Sequence, residues 1–228
     1  MIRKSGVVMI ASLLIVLTVS SVTAFDLLGG KKDAGAKVDV DALSGRSASV
    51  MSNVSKGTIS FAEALLHVET AVGHKAEAEK LQQAINNAKE KKDDTNAIKA
   101  LSAEVNNASD DLDKTNLQSS MNKEEAKKSL GNSILKIGVG LIFDGIAAKD
   151  APGLLSDAQA ALKQVSFTVV GKVKDMITVA QFVTSEIPSQ MNHLRKVSGK
   201  LTDYAKTNGI PTPSKEDIQK SMEGTKEG

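Results

Sequence analysis

The chain contains no cysteine. That absence excludes disulfide bonds, thiolate metal sites and cysteine nucleophiles. It also excludes a bacterial lipoprotein, because lipid is attached to a cysteine at the cleavage point. Exported domains without disulfides are common in bacterial envelopes and less common in eukaryotic secretion, where disulfides often stabilise small domains.

Aromatic side chains are also scarce, with five Phe, one Tyr and no Trp in 228 residues. Exposed aromatic rings typically stack on sugars, bases and peptides. Their scarcity argues against carbohydrate or single-strand binding and favours a core of Ala, Val, Leu and Ile.

The first 24 residues have the features of an export signal. Arg3 and Lys4 precede an apolar run over residues 7–19, and Val22-Thr23-Ala24 supplies the small residues that a signal peptidase reads. The run is short for a membrane span, which needs roughly 20 apolar residues. We predict a signal peptide over residues 1–24 that is cleaved near Ala24, with a retained anchor as the alternative. Without cysteine, this indicates a Gram-negative periplasmic or secreted protein.

The predicted mature chain has no net charge. The whole sequence has 29 Lys and Arg against 27 Asp and Glu, and removing Arg3 and Lys4 leaves 27 of each sign. Nucleic-acid binding depends on clustered Lys and Arg that neutralise phosphates. We therefore expect no nucleic-acid partner.

Helical spacing of apolar residues begins after a glycine-rich linker over residues 25–40. The stripe runs from Leu43 to Val72 in steps of three and four, and Gly73 marks its end. A second stripe covers residues 75–114 and is interrupted by the charge run over 89–96. We favour a continuous helix through that run; the alternative is a turn capped by Asp94 or Thr95.

The second half of the chain predicts two further long helices. The third begins at a capping-box-like Asn122, runs to about Lys149 and ends in a turn around Pro152. The fourth covers residues 155–187, with a kink or break at Pro188 before the stripe resumes. Gly209 ends this segment. A polar tail over 208–228 follows, in which Ser214 could cap one short helix.

No sustained strand alternation is present in the sequence after residue 24. The predicted fold is therefore all-α: an elongated antiparallel bundle of about four long helices over residues 41–207, with a disordered N-terminal linker and C-terminal tail.

One local pattern stands out in the third helix. Gly131, Gly138 and Gly145 recur every seven residues within an apolar segment over 130–147. Each glycine costs a helix roughly 1 kcal/mol relative to alanine, so the stripe needs a reason. One interpretation is close packing against a neighbouring helix, for which we expect residues 169–187. The other is a segment that opens and inserts into a membrane.

Candidate residues for chemistry are few. His67 and His74, with Glu63 and Glu77 nearby, could hold zinc or nickel, but no recognised metal motif accompanies them and we interpret them as surface histidines. The sequence contains no G-x-S-x-G, complete P-loop or Rossmann fingerprint. We predict no catalytic site, metal or cofactor.

These observations predict an exported, non-enzymatic helical bundle that acts by protein–protein interaction, as a scaffold, a chaperone-like factor or an accessory of an envelope complex. We expect its partner to be another envelope protein or a second copy of the chain, with no small-molecule substrate identified. The alternatives are a membrane-active or pore-forming protein that uses residues 130–147, and a carrier of a small apolar ligand.

Overall fold

The computed structural model describes residues 39–92 and 94–226, and the predicted signal peptide and nearly all of the linker lie outside them. Within these ranges the structure is all-α, as predicted, with no strand. The helices in chain order are α1 Val40–Val72, α2 Lys75–Lys91, α3 Thr95–Lys114, α4 Leu117–Ser120, α5 Lys123–Leu162, α6 Val170–Thr207 and α7 Lys215–Lys226.

The ends of α1 follow directly from its sequence. The Asp39 carboxylate accepts hydrogen bonds from the backbone N–H groups of Asp41 and Ala42, at 3.1 and 2.9 Å. At the other end Gly73 adopts φ 86°, a left-handed conformation that favours glycine. Both cap types satisfy backbone groups that the helix itself leaves without partners.

The helix is interrupted within the charge run over 89–96, so the favoured prediction of one continuous helix was wrong. α2 ends before Lys92, which has φ 32°, and α3 begins after Asp94. The Asp94 carboxylate accepts a hydrogen bond from the N–H of Ala97 at 2.8 Å. The alternative prediction, a turn capped by Asp94, describes this break.

The predicted turn at Pro152 was also wrong, because α5 continues through it to Leu162. Proline removes one N–H from the helix ladder, and Arg46 of α1 adds a contact at this point by donating to the carbonyl of Asp150 at 3.2 Å. The same guanidinium pairs with Asp157 at 2.8 Å. A Cβ on Gly153 would lie 2.5 Å from Arg46 Nη2, so a side chain at this position would displace the guanidinium.

The chain reverses instead over residues 163–169, inside the segment predicted as the start of the fourth helix. This stretch contains the β-branched residues Val165, Thr168 and Val169, which lower helix propensity. The apolar spacing persists across the reversal because Val165 packs with Val173 at the end of the bundle. α6 then runs without interruption through Pro188, where a kink or break was expected.

The long helices enclose one main core, with α1 packed chiefly against α5. Contacts between α1 and α5 pair Arg46 with Asp157 and Glu63 with Lys136, so the two helices are antiparallel. α6 lies beside α5, and the α2–α3 hairpin packs on α1, with α3 also contacting α6. Phe61, Leu65, Ile98 and Leu194 are among the fully buried side chains of this core.

The C-terminal tail contains α7, which confirms the predicted short helix after Ser214; the described residues 208–226 are therefore not a disordered tail throughout, as was also predicted. α7 follows Pro211 and Pro213 and packs on α5. Ser214 and Asp217 cap each other at its start: the Asp217 N–H donates to Ser214 Oγ at 3.1 Å, and the Ser214 N–H donates to Asp217 Oδ2 at 2.9 Å. These bonds from Ser214 lower the pKa of Asp217.

Candidate functional site

The glycine stripe of α5 lies partly beneath the C-terminal segment. A Cβ on Gly131 would be 3.3 Å from the Pro211 carbonyl oxygen, and a Cβ on Gly138 would be 2.7 Å from Cδ1 of Ile218. The neighbour of Gly138 is therefore α7 and not the expected segment 169–187. Gly145 is the glycine of the stripe that faces α6, because a Cβ on it would be 3.8 Å from Cε of Met191.

α7 covers an apolar face of α5 that is separate from the main core. Val139 and Phe143 of α5 and Met222 of α7 form a small buried cluster, flanked by Ile142 and Ile218. We call the surface formed by Val139, Ile142 and Phe143 the α5 face. It belongs to the predicted apolar segment 130–147 and is covered by α7 of the C-terminal tail.

Lys56 of α1 adds polar contacts at the edge of the α5 face. Its ammonium lies 5.9 Å from the centroid of the Phe143 ring and donates to the carbonyl of Thr225 at 3.2 Å. α7 is thus attached to α5 by apolar contacts and to α1 by Lys56.

The tightest helix contact involves a glycine outside the predicted stripe. Gly140 of α5 crosses Gly57 of α1: a Cβ on Gly140 would be 2.9 Å from the Gly57 carbonyl oxygen and 2.5 Å from Cε1 of Phe61. Such contacts are closer than a side chain permits, so the two backbones touch because both residues are glycine.

A polar network is buried beside this crossing. Gln190 of α6 donates through Nε2 to Thr58 Oγ1 at 3.4 Å and to Asp144 Oδ2 at 3.3 Å, and Ser102 donates to Gln190 Oε1. All four side chains are buried. The network therefore joins α1, α3, α5 and α6 through hydrogen bonds within an otherwise apolar core.

Asp144 is the charged member of this network. Asp144 Oδ1 lies against Gly57, where an added Cβ would overlap it, and has no hydrogen-bond partner among the described residues. Full burial raises the pKa of Asp144 well above its usual range. The neutral acid is the form that such surroundings favour.

The residues considered for metal binding are placed in separate contacts. Glu63 pairs with Lys89 at 2.6 Å and with Lys136, and these two lysines hold its pKa low despite partial burial. His67 is exposed, whereas His74 Nδ1 lies 2.6 Å from Glu69 Oε2. Over residues 39–92 and 94–226, no three His, Asp or Glu side chains are arranged to hold a metal ion.

Glu69 is a buried carboxylate that the sequence analysis missed. Burial raises its pKa to about 7, and the hydrogen bond with His74 opposes that rise; the charges of Asp111 and Glu77 add to it. Glu69 occupies the last turn of α1, where the stripe positions Val68 and Val72 flank it. A signal for its burial was its position on the apolar side of the predicted helix.

Comparisons with known proteins give no relative: no family model, curated protein or solved structure matches the chain. Among the described helices, α5 alone is long and apolar enough to cross a membrane by length and composition. Half of its most apolar window is buried, and the buried core helix of a soluble protein meets the same criteria.

Proposed function

We propose that the protein is an exported, non-enzymatic helical bundle that acts by protein–protein interaction through the α5 face. The observation that supports this proposal is the separate apolar cluster of Val139, Phe143 and Met222, through which α7 packs on α5 outside the main core. In the proposed complex, an amphipathic helix from another envelope protein takes the place of α7.

α7 indicates which kind of partner fits. Its apolar residues Ile218 and Met222 are one helical turn apart, and Ile218 enters the space left by Gly138. The other side of α7 is polar and exposed, including Gln219 and Lys220. A partner helix with two apolar residues spaced four apart on a polar background would make the same contacts.

A photo-reactive residue in place of Ile142 tests this proposal in the host. Releasing α7 with Ile218→Asp should increase the yield of one cross-linked envelope protein, and a peptide of residues 214–228 should compete with it. Gln219→Asp is the matched control, because it adds the same charge on the exposed side of α7 and should leave the yield unchanged.

The membrane-active alternative is supported by the apolar length of α5. Liposomes loaded with dye distinguish the two proposals. We expect the protein and its Ile218→Asp variant to leave them intact. Dye release by the variant at low protein concentration would replace the interaction proposal with membrane insertion of α5.

A further inference from the structure

A groove between α3 and α6 shares no residue with the α5 face. It has a volume of about 430 Å³, within the range of small-molecule sites. Its base includes the buried residues Ser102 and Phe182, and its walls carry Lys99, Asn106 and Glu186.

The two walls carry opposite charges. Lys99 belongs to α3 and Glu186 to α6, and neither forms an ion pair within 4.0 Å with any described residue. The Lys99 ammonium lies 5.4 Å from the centroid of the Phe182 ring, and Glu186 Oε1 accepts a 3.4 Å hydrogen bond from Ser185. Both charges remain available to a ligand that enters between them.

From this arrangement we infer that the groove binds a small zwitterion that carries an ammonium and a carboxylate, of the size of an α-amino acid or a dipeptide. The ligand carboxylate pairs with Lys99. Its ammonium pairs with Glu186. The apolar part of the ligand lies over Phe182.

The base of the groove connects the ligand to the core. Ser102 lines the groove and also donates to Gln190, which in turn donates to Asp144. A ligand that contacts Ser102 therefore touches the hydrogen-bond network that joins four helices. Binding should raise the melting temperature of the bundle, because a ligand that binds only the folded state stabilises it.

Titration calorimetry on the protein purified as its host produces it tests this inference. The probes are the common α-amino acids and the dipeptide Ala-Ala, each compared with its N-acetylated form and its C-terminal amide. We expect saturable binding of at least one zwitterion and at least a tenfold loss of affinity for either blocked form. A response to the dipeptide alone would assign the site to peptides, and a response to free amino acids would assign it to those.

Variants locate the site. Lys99→Met and Glu186→Gln should each weaken binding about tenfold, whereas Lys206→Met and Glu79→Gln, which remove the same charges from exposed positions elsewhere, should not. Circular dichroism of each variant checks that the fold is retained. The inference is overturned if no zwitterion binds at concentrations up to about 10 mM, which correspond to very weak binding. It is also overturned if the blocked forms bind equally well, or if the control variants lose affinity to the same extent.

Discussion

Gly140→Ala tests whether contact between two glycines sets the packing of α1 against α5. The added Cβ would lie 2.9 Å from the Gly57 carbonyl oxygen and 2.6 Å from Cδ1 of Phe61. Phe61 is fully buried, and the carbonyl is part of the backbone of α1, so neither atom can move aside without shifting a helix. Overpacking of this kind typically costs about 1–3 kcal/mol or more.

Gly199→Ala is the matched control. Gly199 is also inside a long helix, but a Cβ there would meet no atom within 4 Å. Alanine is favoured over glycine in a helix by about 1 kcal/mol, and this gain applies to both variants. Gly199→Ala should therefore be more stable than the wild type, and Gly140→Ala less stable despite the same gain.

Thermal unfolding followed by circular dichroism measures the difference. With about 2–4 °C per kcal/mol for a domain of this size, the control should melt about 2–4 °C above the wild type. Gly140→Ala should melt below the wild type by up to about 8 °C, because the same helix gain offsets about 1 kcal/mol of the overpacking cost. If Gly140→Ala melted at or above the wild-type temperature, the close approach of the two backbones would be refuted.

Three further predictions concern single side chains. Burial raises the pKa of Glu69 to about 7, so this group stabilises the fold at low pH and the stabilisation is lost as pH rises through that value. Glu69→Gln should therefore flatten the pH dependence of the unfolding free energy between about pH 5 and pH 8. Urea midpoints at pH 5 and pH 8 measure this, and the same difference between the two midpoints in the variant as in the wild type would contradict it. Asp144→Asn should reduce the loss of stability that accompanies a rise in pH above the usual titration range of aspartate, since the raised pKa of Asp144 has the same sign. Melting temperatures over a series of pH values give the comparison, and the same pH dependence in both proteins would count against it. Asp94→Ala should cost about 1 kcal/mol through loss of the helix cap, measured by urea unfolding, and no loss would mean that the cap is dispensable.

Apolar spacing predicted the helical class and the ends of α1 because those features depend on neighbouring residues. Gly73 ends α1 through its own backbone conformation. Pro152 misled the prediction because a proline often marks the first turn of a helix, whereas α5 continues through this one. Arg46, more than one hundred positions earlier in the chain, donates to the nearby carbonyl of Asp150. No local pattern can report such a contact.

The α5 face shows the same limit. The seven-residue spacing of the glycines drew attention to α5. The tail, which packs against Gly131 and Gly138, was expected to be disordered because most of its residues are polar. Asp144 lies within the predicted apolar segment 130–147 and was not among the candidate residues, whereas it is fully buried. Its position four residues after Gly140, on the same side of the helix, was the available signal.

The pairing of α1 with α5 has a consequence for the timing of folding. Gly57 and Gly140 must meet across more than eighty intervening residues, so the core cannot close around α1 until most of the chain is present. Contacts between distant parts of a sequence slow folding relative to bundles built from adjacent helices, because the ends of a long loop must first come together. For a chain that crosses a membrane while extended, this delay would keep the emerging segments unfolded until α5 arrives.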